Sequence, residues 1–167
     1  PQQIDEWLKR TPAKVVAVVH GETSTGMLQP QMGEIGRICR KRGILLHTDA
    51  VQAVGHIRVD WKTLPVDLLS LTAHKLGGPR GIGALLVREG VRLQPLFHGG
   101  DHEDGRRPGT ENVAGAVGMA EALRQTTMGL TEEQARIASL RDRLLDGLRQ
   151  AFPDLVLHGH PAERLPQ

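Results

Sequence analysis

Lys75 follows an apolar run, LLSLTAH, and precedes a glycine-rich turn, LGGPRG. Two chemistries are open to a lysine so placed. It is a solvated cation beside a turn, with its methylene stem laid over apolar surface, or it is a nucleophile. Burial or a neighbouring cation lowers an ammonium pKa toward the neutral amine that attacks carbonyl carbon. Asp49 closes an earlier apolar run, ILLHT. A carboxylate there is costly unless a cation lies over the strand end; the other reading is a turn or helix-cap residue. Ser70, Thr72 and His74 bring hydroxyl and imidazole groups around the lysine, and the glycine turn offers backbone amides.

Other polar clusters point to less. His98, Asp101, His102, Glu103 and Asp104 lie in the loop LFHGGDHEDGRRPGTEN, whose spacing fits no standard zinc pattern, so no metal site is expected. That loop is too polar for a core and too long for a minimal connector, which makes it a functional candidate. The single cysteine, Cys39, rules out an internal disulfide framework and a multi-cysteine zinc site. It falls on the apolar face of an expected helix and reads as a buried structural thiol.

The elements that must position these residues follow from periodicity. Residues 1–10 suit a short helix, and KVVAVVH reads as a strand buried on both faces. QMGEIGRICRKRG has helical apolar spacing and stops at Gly43. ILLHTDA is a second strand, DLLSLTAHK a third that ends at Lys75, and IGALLV a fourth. Strands alternating with helices indicate an α/β fold with a mainly parallel sheet, and the direct step across KLGGPRG permits one antiparallel neighbour. Ligands gather at the carboxyl ends of strands in such sheets. His20 to Ser24, Asp49, His74 and Lys75 all fall there. ENVAGAVGMAEALRQ reads as a helix with a small-residue face, preceded by Thr110 as a candidate N-cap. TEEQARIASLRDRLLDGLRQAF opens with the capping-box pattern Thr131 and Gln134, and DLVLHGH reads as a strand after it.

With 167 residues, the chain is long enough for one ordinary domain and a hydrophobic core. Lys and Arg number 21 against 19 Asp and Glu, leaving a net charge of +2 with the basic residues scattered. That balance, with no Tyr and only two Phe and two Trp, argues against nucleic acid as a partner. No apolar run approaches the roughly 20 residues that cross a bilayer, so no membrane partner is expected. The chain opens on Pro1 and ends just after an expected strand, so it is expected to be a piece of something longer.

Several ordered segments together carry a resemblance: HTDAVQAVGHIRVD, DLLSLTAHKLGGPRGIGALLV, HGGDHEDGRRPGTEN and the RLP near the end. Over roughly residues 14 to 165, the chain resembles the class V aminotransferase group of pyridoxal-phosphate enzymes, and within it the cysteine desulfurases and selenocysteine lyases. The resemblance implies part of the large cofactor-binding domain of a fold-type I aminotransferase over residues 1–127. Residues 128–167 would then hold the connecting helix and first strand of a small C-terminal domain. It implies pyridoxal 5'-phosphate as cofactor and Lys75 as the catalytic lysine that forms a Schiff base with its aldehyde. Asp49 matches the carboxylate paired with the pyridine nitrogen, Gln52 the glutamine near the phenolic oxygen, and Thr72 and His74 phosphate-binding donors. Thr110 in RRPGT matches a threonine that reaches the phosphate in the partner subunit, which implies a homodimer with shared sites; Arg107 belongs to the same loop. A small amino-acid substrate, a sulfur-acceptor protein and a cytoplasmic setting complete the expectation.

The segment HGETSTGMLQP departs from the desulfurase pattern. It resembles the loop of alanine-glyoxylate or serine-pyruvate aminotransferases, where a serine or threonine stands beside the cofactor; Thr23 is the first candidate and Ser24 the second. A desulfurase also needs a mobile thiolate, and Cys39 does not match it. The implied activity is therefore cysteine desulfuration by a longer parent, with this chain alone inactive. Transamination, selenocysteine lysis and a non-catalytic domain that keeps only the fold are the alternatives.

Overall fold

A computed structural model describes residues 1–167. Four five-residue strands set the frame: β1 (Val15–Val19), β2 (Leu45–Asp49), β3 (Leu68–Thr72) and β4 (Gly83–Val87). They form one sheet in the order β1-β2-β3-β4, with the first two pairings parallel and the last antiparallel. The antiparallel step is made by the glycine loop, where Gly77 and Gly81 hold φ of 77° and 82°, a left-handed conformation that a side chain resists.

Helix α1 (Gln2–Arg10) precedes β1, and α2 (Met32–Lys41) crosses from β1 to β2. Met32, Ile35 and Cys39 of α2 pack with Leu46, Val54, Val66, Leu69, Leu71 and Leu76 into the main core. Leu46 and Leu69 are essentially solvent-free, each contributing about 1.5–3 kcal/mol through burial. Gly36 lets α2 lie directly on the connection before β3: a Cβ there would collide with the Pro65 carbonyl oxygen. Arg88 ties that connection down by donating to the carbonyls of Trp61, Leu64 and Val66 while stacking over the Trp61 ring at 4.1 Å.

Helices α3 (Val113–Met128) and α4 (Leu130–Ala151) are separated only by Gly129. The small-residue face of α3 meets the glycine loop, where a Cβ on Gly118 would sit 2.9 Å from Pro79 and one on Gly78 would sit 3.1 Å from Ala122.

Five sequence expectations need correction. β1 is not buried on both faces. It is an edge strand whose burial alternates, with Val15 and Val19 exposed. Lys75 does not end β3, which stops at Thr72; it lies in the following 3-10 turn, Ala73–Lys75. The Thr131–Gln134 capping box does not form, because α4 starts at Leu130 and Thr131 is already inside its first turn. Asn112, not Thr110, caps α3, accepting from Gly115 N at 2.9 Å. DLVLHGH forms no strand, since no other segment of the chain offers it a ladder.

Candidate active site

The parallel strands deliver their carboxyl ends to one edge of the sheet, and the candidate residues follow from that edge. Asp49 pairs in register with Val19 of β1 and Ser70 of β3. Its Oδ1 accepts from Val51 N at 3.0 Å, turning the chain sharply after the strand, while Oδ2 has no hydrogen-bond partner. Its neighbour His47 shares a 2.9 Å hydrogen bond with Ser70 Oγ. These contacts lock β2 against β3 just below the site.

Beyond β3, Thr72 Oγ1 lies 2.9 Å from His74 Nδ1 and 3.3 Å from the Ile82 carbonyl. With the hydroxyl proton on Ile82 O, His74 donates from Nδ1; with it on Nδ1, His74 carries its proton on Nε2 and presents an outward donor. The 3-10 turn then brings Lys75 round, half-buried, with no hydrogen bond or ion pair to its Nζ. Its backbone is held instead, since His56 Nε2 lies 3.2 Å from Lys75 O and Gln134 of α4 donates to His56 O at 2.8 Å. Gln134 thus reaches across the fold rather than back to its own helix start.

Two neighbouring clefts share Gln167 as a wall. One, of ≈ 260 Å³, is lined by Lys75, Leu76, Gly55 and His56. The other, of ≈ 420 Å³, is lined by Thr23, Ser24, Gln52 and Arg164 and by apolar residues of α4 and the segment after it. The structure therefore places Thr23, Ser24 and Gln52 together, with Lys75 next door. Thr110 is exposed in the 97–112 loop and makes no hydrogen bond to this group. Arg107, in the same loop, lies over the Phe97 ring at 5.7 Å. Arg164 and His56 were not singled out in the sequence, and Gln134 only as a helix cap. Arg164 meets the loop through Thr25, 139 positions earlier in the chain, and no local pattern signals a contact of that separation.

Cys39 is fully buried on α2. Burial, with Asp67 nearby, pushes its thiol above the ordinary value, so it rests as the unreactive neutral form. His20, at the end of β1, is shifted the other way: burial lowers its pKa, and its Nδ1 is buried without a partner.

The sequence model of the Aminotransferase class-V family matches residues 1–167. The chain belongs to the class-V aminotransferase family. The cysteine desulfurase IscS of Methanosarcina thermophila is 45% identical over 151 residues, covering 90% of this chain and 37% of that protein. Among solved structures, the NifS-like protein of Rickettsia africae ESF-5 superimposes with a TM-score of 0.93 at 30% identity, over 99% of this chain and 46% of that one. DndA from Streptomyces lividans gives 0.86 at 32% identity, over 98% and 47%. The chain thus spans less than half the length of each of these relatives. Enzymes of the family depend on pyridoxal phosphate.

The residues present fit that cofactor. Asp49 keeps one carboxylate oxygen without a hydrogen bond at the carboxyl end of β2, Lys75 has an amine that no acid has claimed, and Thr72 and His74 form a hydroxyl–imidazole pair at the end of β3. A carboxylate, an amine and a hydroxyl–imidazole pair match the pyridine nitrogen, aldehyde and phosphate in charge and hydrogen-bonding character.

Proposed function

We propose that the protein containing this chain is a pyridoxal-phosphate-dependent cysteine desulfurase. It would remove sulfur from L-cysteine to give alanine and a persulfide that passes to an acceptor protein. The observation that carries the reading is the half-buried Lys75 amine, free of any ion pair, on the wall of a cleft that adjoins the one lined by Thr23, Ser24 and Gln52, in a chain 45% identical to an IscS desulfurase. When bound, the cofactor supplies an electron sink for bonds at the substrate Cα. Lys75 would hold the cofactor aldehyde and, once the substrate amine displaces it, its freed Nζ would be available to move the Cα proton; Asp49 Oδ2 would accept a hydrogen bond from the protonated pyridine nitrogen. Gln52 would lie near the phenolic oxygen, Thr72 and His74 would bind the phosphate, and Thr23, with Ser24 as the second candidate, would contact the cofactor from the neighbouring cleft. Thr110 serves the site of the other subunit in a cytoplasmic homodimer.

The persulfide requires a thiolate, and the buried, raised-pKa Cys39 does not supply one. Residues 1–127 are assigned to the cofactor domain and residues 128–167 to the beginning of a second. A second reading, transamination of a small amino acid, is favoured by the hydroxyl-bearing Thr23 and Ser24 in the cleft beside Gln52. Product analysis separates the two. The full-length protein is incubated with cofactor, L-cysteine and a thiol reductant. Alanine and sulfide formed in equal amounts support desulfuration, whereas amino-group transfer to pyruvate or glyoxylate without sulfide selects transamination. A folded protein that binds no cofactor would show a non-catalytic domain.

A further inference from the structure

Arg164 belongs to the RLP segment, which crosses back over the loop that carries Thr23 and Ser24. Leu28 N donates to Glu163 O at 2.9 Å and Leu165 N to Gly26 O at 2.7 Å, with Met27 and Arg164 bridged antiparallel. The Leu165 side chain is buried over Gly21, where a Cβ would lie 3.0 Å from its methyl groups. Arg141 of α4 secures the other side by donating to Leu165 O at 2.8 Å. Within this clasp the Arg164 guanidinium lies against Gly26, whose φ of 70° and missing side chain make room for it. Nη2 donates to Thr25 O at 3.2 Å, while Nε and Nη1 are buried with no acceptor.

A buried guanidinium with unmet donors costs free energy relative to an apolar side chain of similar size. Packing alone therefore gives no reason for an arginine here. The one protein hydrogen bond of its guanidinium goes to the residue directly after Ser24, and no Asp or Glu lines the cleft to draw it away. We propose that Arg164 is a positioning residue of the active site: it fixes the backbone at Thr25 and Gly26, and so the direction in which Thr23 and Ser24 present their hydroxyls to the cleft shared with Gln52. The inference rests on the proposed function only in taking that cleft as the place where the amino-acid substrate lies.

Two readouts test it in the full-length protein loaded with cofactor. Hydrogen exchange reads the clasp. Arg164→Ala should speed amide exchange across residues 21–28 about tenfold or more while β2 and β3 keep their protection, and Arg164→Lys, which can still donate to Thr25 O, should recover part of the loss. Kinetics read the site: KM for the amino acid should rise about tenfold with kcat changed less than about twofold. Unchanged exchange at 21–28, faster exchange spread equally over β2 and β3, or an unchanged KM would each overturn the proposal. Failure of the functional reading shows separately, as the absence of a reduced cofactor adduct on Lys75, and leaves the exchange result standing.

Discussion

Asp49 commits one carboxylate oxygen to Val51 N and leaves the other free, so a substitution there separates turn-making from chemistry. Asp49→Asn keeps an oxygen for Val51 N but removes the charge, and should cost about a hundredfold or more in kcat with little loss of stability; steady-state kinetics beside a thermal melt check both. Cys39, fully buried with a raised thiol pKa, should resist alkylation in the folded protein and react only after denaturation, read by mass with and without denaturant. His20 adds a pH dependence. Its folded pKa lies below the ordinary imidazole value of about 6.5 because burial disfavours the imidazolium. The unfolded chain therefore takes up a proton first, and stability falls as pH drops from about 6.5 toward the lowered value, with no contribution above that window. His20→Gln should flatten this part of a stability-versus-pH curve measured by denaturant titration.

Among the elements, α2 was legible because its apolar spacing repeats with the helical period, as the burial of Ile35 and Cys39 bears out, and the four strands because each is a short apolar run. Termini and unpaired segments were not. The capping-box pattern at Thr131 was real as a pattern, yet Gly129 had already separated α3 from α4, and Gln134 found its partner in His56. DLVLHGH had strand composition without a neighbouring strand, and composition alone makes no ladder. β1 looked buried on both faces because Val-rich runs do not reveal which strand is an edge. Packing of α2 gives a direct check. Gly36→Ala forces a methyl against the Pro65 carbonyl and should cost about 1–3 kcal/mol. Asn112→Ala removes the cap of α3 and should cost about 1 kcal/mol. Chemical denaturation measures both.

At the scale of the molecule, the α/β class, the parallel sheet with one antiparallel strand, and the family were all readable from ordered motifs. The clefts were not, since they arise where residues 163–167 return over loops far earlier in the chain. No helix is long and apolar enough to cross a membrane. The sheet places Asp49 and Ser70 in register, and the turn after β3 then swings Lys75 to the cleft wall, which is the geometry on which the functional reading depends. The direct test is borohydride reduction of the protein after addition of pyridoxal phosphate, followed by peptide mass analysis. A single phosphopyridoxyl adduct at Lys75, lost in Lys75→Ala, is the predicted result. Adducts scattered over surface lysines with Lys75 unmodified would contradict it.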